Sequence, residues 1–563
     1  MWPTSELALT PLWRIRSEAL PFNERVQLSY QRCRSVVQTY RLTSNDIVNV
    51  SPMYWKFYTD PILMMDCAVA ILLTIHYNLC VGTLAMYSFD RPDIARLVEN
   101  LLKFEISGQY CLTELGHGLD IFNMESTAKL LSNGEFELNT GISRAAKYMP
   151  PTSPCGIPVV AIVFARLIVD ETDRGIKPFV VYLSDGSRMN KGITCKVTTV
   201  GGGSQSVKHA LTSFDHVRLP RTALLGSIEK AQDARGAFYK NIYRVITGSL
   251  SVGALGLSAM RVSSYIVGSY SQRRHVIDSS TGISRPIITF STQYIPILTA
   301  ISQTFVMEAF ANKARRMFLA PEATIFHKHF IASIFKATIS RFAKSIPIVL
   351  GDRYGAQGLN DVNQLTIIHA NARGGSIAEG DILTTSIRFG VEVILGRIAP
   401  PPTVKKDSLL WKHERSAIAE LGALMRKGNS HRDSNVARQI LPQCQPLIEA
   451  IGHRMAYDSA IEAGLDERLI QLFISSVMKF DPAWYSENEN ISRAQQAMMD
   501  QEVATALLPD INDFLDGLRA KDYITAPIVS DKAWSQFVDS LETFSQNDHE
   551  AIEEDTSAIV SHL

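Results

Sequence analysis

A mainly helical chain with one β domain in its middle is the fold class that the sequence predicts, and three observations predict it. Apolar residues recur at helical spacing before residue 110; Val, Ile, Phe and Tyr concentrate between Ile157 and Leu219; long apolar stripes return after Pro220. The expected units are an N-terminal helical domain (1–110), a middle β domain (111–225), a helical bundle (226–400) and a second, C-terminal helical domain with a tail (401–563). A chain of 563 residues, 46 % of them hydrophobic and 20 % charged, has ample core for this many units.

Each element has its own signal. From Glu24 to Leu42 the residues Val26, Leu28, Tyr30, Cys33, Val36, Val37 and Tyr40 fall at helical spacing, and Met64 to Leu84 continues the apolar helices. Cys67 to Phe89 is long and apolar enough to span a bilayer, but His76, Tyr77 and Asn78 sit at its centre. A polar trio at mid-bilayer is costly, so the stretch reads as a buried helix pair and no integral membrane segment is expected. Ile157 to Val169 and Phe179 to Leu183 read as a β-hairpin turning at Asp173-Arg174-Gly175. Ile193 to Val200 and Ala210 to Leu219 are strand-like and frame Gly201-Gly202-Gly203, which lacks the order of a dinucleotide fingerprint and reads as a loop. Helices are expected at Arg235 to Tyr270, Ile288 to Leu319 and Ile325 to Leu350, in a bundle. The prolines of Ala399 to Thr403 mark a hinge, after which Trp411 to Met425, Val436 to Gly464, Asp466 to Phe480 and Ser492 to Leu518 are helical again.

Charge and cysteine usage exclude several function classes. Lys plus Arg (56) equals Asp plus Glu (56), so no net field favours nucleic acid or an anionic membrane. Seven scattered cysteines without a C-x-x-C pair argue against a disulfide framework and against a zinc site; no metal site is expected. The last residues, Ser561-His562-Leu563, resemble the small-basic-Leu peroxisomal address and follow an acidic run at Asn547 to Thr556.

Three constellations could carry chemistry. In Thr113-Glu114-Leu115-Gly116-His117-Gly118, two glycines and a threonine make a loop that can approach a flat ligand and offer it a hydroxyl. Glu125-Ser126-Thr127-Ala128, Phe136-Glu137-Leu138-Asn139-Thr140 and Lys147-Tyr148-Met149-Pro150-Pro151 follow it. The second is Tyr270-Ser271-Gln272-Arg273-Arg274 with Pro286 to Tyr294, in which an arginine fork suits a pyrophosphate and Gln293 falls in register. The third runs from Gly351 to Arg397 and holds Gly355-Ala356-Gln357-Gly358-Leu359 and Ala378-Glu379-Gly380-Asp381. A carboxylate in a dry pocket gains proton affinity and suits a general base, and Ile377, Ala378 and Ile382 are the apolar neighbours expected to form that pocket.

Taken in order, these motifs resemble those of the acyl-CoA oxidases, in the acyl-CoA dehydrogenase/oxidase superfamily, and mark the chain as a divergent member. The resemblance implies an acyl-CoA dehydrogenase-like fold, with α-helical N-terminal domain, β-barrel middle domain and helical bundle, plus a second C-terminal helical domain. It implies FAD as cofactor, held by Thr113, Gly118, Pro151, Arg273, Gln293, Gln357 and Gly358, and Glu379 as the catalytic base. The implied reaction is α,β-dehydrogenation of an acyl-CoA to a trans-2-enoyl-CoA, with electrons passing to molecular oxygen to give hydrogen peroxide. The Gly355 to Leu359 loop implies a homodimer, because in the family it completes the flavin site of the other subunit. The chain departs from the family pattern at Pro151, His275-Val276-Ile277-Asp278, Ala356, Leu359, Ala378 and Ile382. Ala378 in place of an aromatic implies a wider acyl pocket. That leaves open a flavin-dependent desaturase or dehydrogenase of a branched, aromatic or polyketide acyl thioester. The altered Pro151, Ala356 and Leu359 leave open a redox-silent structural subunit.

Overall fold

The structure is a computed structural model that describes residues 2–199, 201, 206–428 and 432–544. Gly202, Gly203 and the terminal Ser561-His562-Leu563 lie outside the described residues.

The chain opens with helices, among them α1 (Phe22–Tyr40), and the apolar stretch forms one helical run, α2 (Cys67–Ala85), whose middle, Thr74–Val81, is π-helical. The expected helix pair is therefore a single helix. Its 18-residue apolar window is 89 % buried, and Tyr243–Arg273 and Ser291–Phe318 are also long and apolar enough to cross a membrane yet lie mostly inside the fold. The polar trio explains itself here. His76 Nε2 meets the Leu101 carbonyl at 2.9 Å, and the Gly108 N–H donates to His76 Nδ1 at 2.9 Å. Both ring nitrogens are thus satisfied by a neutral imidazole, and burial pushes the group down to about 4.

The β domain contains β1 (Ser107–Cys111), β2 (Thr127–Leu130), β3 (Phe136–Asn139), β4 (Lys147–Tyr148), β5 (Val159–Val169), β6 (Thr172–Ser184), β7 (Ile193–Val197), β8 (Ala210–Phe214) and β9 (Val217–Leu219). One sheet has the order β1-β5-β2-β3-β9 with β6 also paired to β5; the other has the order β4-β8-β7. β1 and β2 run parallel to β5, and the remaining pairs are antiparallel. Alternation along β5 serves two cores: Val160, Ile162 and Phe164 join the helices, while Val159, Ala161, Val163, Ala165 and Leu167 fill the β interior.

The hairpin turn lies three residues earlier than expected. Asp170 and Glu171 both take positive φ (50° and 54°), as a two-residue turn matched to strand twist requires. Asp173-Arg174-Gly175 instead sits inside β6, beside a register shift on β5 between Arg166 and Ile168, where Asp173 accepts from the Gly175 N–H at 2.7 Å. Ala210 to Leu219 is likewise split, by Asp215 and a left-handed His216 (φ 46°).

The bundle is α3 (Tyr243–Arg273), α4 (Ser291–Phe318), α5 (Ile325–Gly351), α6 (Leu365–Ile377) and α7 (Ile382–Ile394). α3 packs on α4, α5 and α6, and α5 on α7. A small hairpin, His275–Ile277 with Ser284–Pro286, joins α3 to α4. The C-terminal helices include α8 (Leu409–Met425), α9 (Cys444–Glu462), α10 (Glu467–Met478) and α11 (Arg493–Leu507), and their apolar residues share one core with the bundle. Val436 to Gly464 and Ser492 to Leu518 are interrupted near Leu441-Pro442 and Leu508-Pro509, where proline cannot continue the helical ladder.

The proline hinge is held rather than loose. Buried Arg454 donates to the Pro401 carbonyl at 2.7 Å and pairs with Glu414 at 2.6 Å and Asp458 at 3.1 Å, while Asp458 accepts from the Val404 N–H at 3.2 Å.

Candidate active site

Glu379 stands in the two-helix corner between α6 and α7. Ala378 ends α6 in extended conformation, Glu379 and Gly380 turn through positive φ (52° and 100°), and Asp381 restarts the helix. Asp381 is the α7 cap: its Oδ1 accepts from the Thr384 N–H at 2.9 Å. The two carboxylates thus have different jobs, one capping and one facing inward.

The inward face is polar and comes from far along the chain. Asn78 Nδ2, on the π-helical turn of α2, donates to Glu379 Oε2 at 2.8 Å. Asn78 is itself fixed by buried Arg244, which donates from Nη2 to Asn78 Oδ1 at 2.7 Å and from Nε to its carbonyl at 3.0 Å; Asn78 Nδ2 also reaches the Arg244 carbonyl at 2.9 Å. Tyr54 OH meets Asn78 Oδ1 at 3.1 Å and Ser251 at 3.2 Å. Gly248 on α3 makes room for the carboxyl: a Cβ there would overlap Glu379 Oε2. The expected apolar neighbours do not form this surround, since Ile377 is 65 % exposed and Ala378 is exposed; only Ile382 is buried. Side chains next to each other in sequence diverge at a sharp helix corner, so the lining is supplied by other elements.

Burial pushes the Glu379 carboxyl up to about 8, against the opposing pull of Lys336, the Asn78 hydrogen bond and Arg244. Burial likewise lowers Lys336 to about 8, with Glu379 and Asp381 resisting. Glu379 does not line either of two cavities formed by the described residues. One of about 210 Å³ lies between Phe122, Arg174, Lys177, Lys230 and Phe238; another of about 890 Å³ lies between Arg14, Arg16, Gln357, Asn360, Trp534 and Phe537.

The remaining expected site residues form two groups. Thr113, Gly118 and Pro151 belong to the β domain, beside β1 and β4. There a fully buried ion pair, Lys147 to Glu114 at 2.9 Å, joins the loop to the strand, and Glu114 also accepts from the N–H groups of Glu125 (2.8 Å) and Ser126 (3.0 Å). Space lies open beside Gly118, where a Cβ would meet nothing within 4 Å. The second group gathers at the far end of α3. Tyr270, three residues before Arg273, and Tyr354, three residues before Gln357, pack edge to face with ring centroids 4.8 Å apart. Arg273 donates to Asp531 at 2.6 Å and to the Ile528 carbonyl at 2.8 Å. Gln357 Oε1 accepts from Asn360 at 3.1 Å, and Gln293 Oε1 is buried with no hydrogen-bond partner among the described residues. Sequence reasoning missed Asn78, Arg244, Lys336 and Ser249, whose Oγ donates to the Glu379 carbonyl. The signal that could have found Asn78 was its place in the polar trio of an apolar helix; nothing local marked the others.

Comparison with known proteins gives this arrangement a context. No family model matches the chain. The human protein named peroxisomal acyl-coenzyme A oxidase 3 is 22 % identical over 304 residues, which is 51 % of this chain and 42 % of that protein. An Arabidopsis thaliana protein named peroxisomal acyl-coenzyme A oxidase 1 is 36 % identical over 137 residues, 23 % of this chain and 20 % of that one. The solved structure of acyl-CoA oxidase 3 from Yarrowia lipolytica superposes with TM-score 0.81 at 17 % identity, covering 97 % of this chain and 90 % of that one. The chain is a divergent relative of the acyl-CoA oxidases. It has their fold over nearly its whole length, although sequence matching to the human protein spans less than half of that protein. Acyl-CoA oxidase-2 of Caenorhabditis elegans, solved with FAD, ascaroside-CoA and ATP, superposes with TM-score 0.73 at 14 % identity, covering 99 % of this chain and 98 % of that one.

The residues of this oxidase relative fit a flavin dinucleotide on two counts. Among the described residues Gln293 Oε1 is a buried acceptor without a donor, and Gly118 and Gly355 each leave a face on which no neighbour would meet a Cβ.

The raised carboxyl also sets a stability test. The folded protein holds the Glu379 proton up to about 8, whereas an unfolded chain releases it near 4.5. Its stabilising contribution is therefore full below pH 4.5 and lost as pH rises through about 8. Lys336 acts in the opposite sense and in another window, between about 8 and 10.5. Unfolding by urea, measured from pH 4.5 to 8, should show a flatter fall of stability in Glu379→Gln than in wild type; identical slopes would mean that the carboxyl is solvated.

Proposed function

We propose that the chain is an FAD-dependent acyl-CoA oxidase-like enzyme that converts an acyl-CoA to the trans-2-enoyl-CoA. The observation that carries this reading is a carboxylate set in a left-handed helix corner and aimed by Asn78 in a chain with the oxidase fold, with burial pushing it up to about 8. Such a group holds a proton strongly enough to take one from the weakly acidic carbon beside a thioester. Glu379 would act as base and keep that proton in the site; Asn78, tied to Arg244, would hold its carboxyl in one orientation. FAD, when bound, would accept the hydride lost from the β-carbon and pass both electrons to oxygen, giving hydrogen peroxide. Thr113, Gly118 and Pro151 would hold one part of the dinucleotide, and Arg273, Gln293, Gln357 and Gly358 another.

Helix length supports a homodimer. Gly248 touches Glu379, and Arg273 lies 25 residues further along the same α3, roughly 37 Å away at 1.5 Å per residue. One dinucleotide does not bridge that span, so Arg273 and Glu379 of one chain would serve different flavins, each completed by a second copy. Exposed Leu359 and the open face at Gly355 suit the role of the loop between copies.

Ala378 stands where the family has an aromatic, and that substitution is what keeps open a second reading of the substrate, an acyl group other than a straight fatty chain. Acyl-CoA thioesters of both kinds, offered in turn, decide this by which one reduces the flavin faster. A protein that purifies without flavin absorbance would instead support a redox-silent subunit. Relatives named peroxisomal support a peroxisomal location.

Three outcomes test the proposal. Glu379→Gln should retain flavin while the reductive half-reaction with acyl-CoA, followed by flavin bleaching, slows by about 10² to 10⁴. Asp381→Asn should slow it far less, since Asp381 caps α7; the reverse ranking would move the base to Asp381.

Arg273→Ala should purify with markedly less FAD, because a charge-assisted contact to pyrophosphate contributes about 1.5 to 3 kcal/mol. Full flavin loading of that variant, or a monomeric mass for the loaded wild type, would remove Arg273 or the second copy from the site.

Deleting Ser561-His562-Leu563 should leave a fluorescent fusion cytosolic when the intact protein is peroxisomal. Unchanged import would place the address elsewhere.

A further inference from the structure

Three consecutive carbonyls at the helix corner are gripped by side chains from two helices. Lys336, on α5, donates from Nζ to the Gly380 carbonyl at 2.7 Å and to the Ala378 carbonyl. Ser249, on α3, donates from Oγ to the Glu379 carbonyl. The residue in the middle is the one non-glycine of the corner with positive φ, a conformation unfavourable for a side chain bearing a Cβ, and Gly380 follows it in the same region. Such a turn persists only where its surroundings hold it.

The choice of a lysine is informative. Lys336 is 2 % exposed and donates to backbone carbonyls; among the described residues it forms no ion pair within 4 Å. A buried ammonium is costly unless its donors are used. Here they are used on both sides of the carboxylate residue, which is the arrangement that fixes a backbone rather than the one that neutralises a carboxyl.

We infer that Lys336 is a positioning residue for the proposed dehydrogenation, clamping the left-handed corner so that the Glu379 carboxyl is delivered to Asn78 and to substrate. The inference rests on the reading of Glu379 as the base. With the clamp removed, the corner is free to relax toward negative φ and the carboxyl turns away, while the proposed flavin residues beside β1 and β4 and at the far end of α3 are untouched.

The groups that face Glu379 are Lys336 from α5, Arg244 from α3, Tyr54 and Tyr58 from the helix Pro52–Tyr58 and Tyr110 from β1, with Asp381 on its own turn acting on Lys336. Lys336→Met removes both the clamp and one positive charge. The test is stopped-flow flavin reduction by the acyl-CoA that reduces wild type fastest, from pH 6 to 10, with flavin content and thermal midpoint measured alongside. Lys336→Met is expected to keep its flavin and its apparent substrate affinity, to lose roughly 10- to 10²-fold in limiting rate on the high-pH plateau, and to titrate at higher pH than wild type. Ser249→Ala, which keeps the charge, should lower the plateau rate without moving the titration, and it carries the test where Lys336→Met does not fold.

A shifted titration with an unchanged plateau would overturn positioning in favour of a charge effect alone. A lowered thermal midpoint with plateau and titration unchanged would overturn it in favour of a purely structural role. A flavin-loaded wild type that no acyl-CoA reduces would overturn the proposed function and this inference together, whereas an active wild type with unaltered Lys336→Met and Ser249→Ala overturns this inference alone.

Discussion

The cost of burying one carboxylate is the constraint around which this fold is arranged. A charge taken out of water without compensation is expensive, and an adjacent counter-ion would offset the cost by lowering the proton affinity that a base needs. The structure takes a middle course. Glu379 Oε2 receives a neutral donor, the Asn78 amide, and the cation Arg244 stands one residue behind it, bonded to Asn78. Lys336 and, more weakly, Arg244 are near enough to limit the rise of the carboxyl without pairing directly with it. The residues concerned come from α2, α3, α5 and the α6–α7 corner, so the helical bundle and the N-terminal helices must dock correctly before the carboxylate has its environment.

The same requirement accounts for two features that look out of place locally. A π-helical turn in the centre of an apolar helix widens the backbone and re-aims side chains, and it is there that His76 reaches β1 and Asn78 reaches α3. Gly248 sits inside α3, in its second turn, where glycine lowers helix stability by about 1 kcal/mol relative to alanine. Its lack of a Cβ is what admits the Glu379 carboxyl against the helix. Both are places where local helix preference yields to the site.

Sequence patterns carried the architecture further than they carried the site. Period-3.6 stripes announced α1, α4 and α5 nearly to their ends, and the Val/Ile-rich run announced β5, because burial on a helix or strand repeats along the chain. The hairpin turn was misplaced because Asp173-Arg174-Gly175 has turn composition yet serves a bulge, while Asp170-Glu171 makes the turn without glycine. Glu379 was legible from a motif. Its surroundings were not, since Ile377 and Ala378 point away and the groups that matter lie 43, 135 and 301 residues earlier, at Lys336, Arg244 and Asn78. Contacts of that sequence separation leave no periodic trace.

The departures from the family's glycine loop can be sorted by the same physical reasoning. Gly355 adopts φ 63° and ψ −140°, a region essentially closed to other residues, and a Cβ on Gly358 would collide with the Gly351 carbonyl. These two positions demand glycine on backbone grounds, and both are glycine. Ala356 and Leu359 fall at exposed positions of the loop. The turn that brings Gln357 beside Asn360 and Asn363 is therefore preserved, and the substitutions change only the surface it presents. Divergence at this loop thus bears on what the loop touches and leaves its shape intact, which is the pattern expected where a binding surface changes while the scaffold that carries it does not.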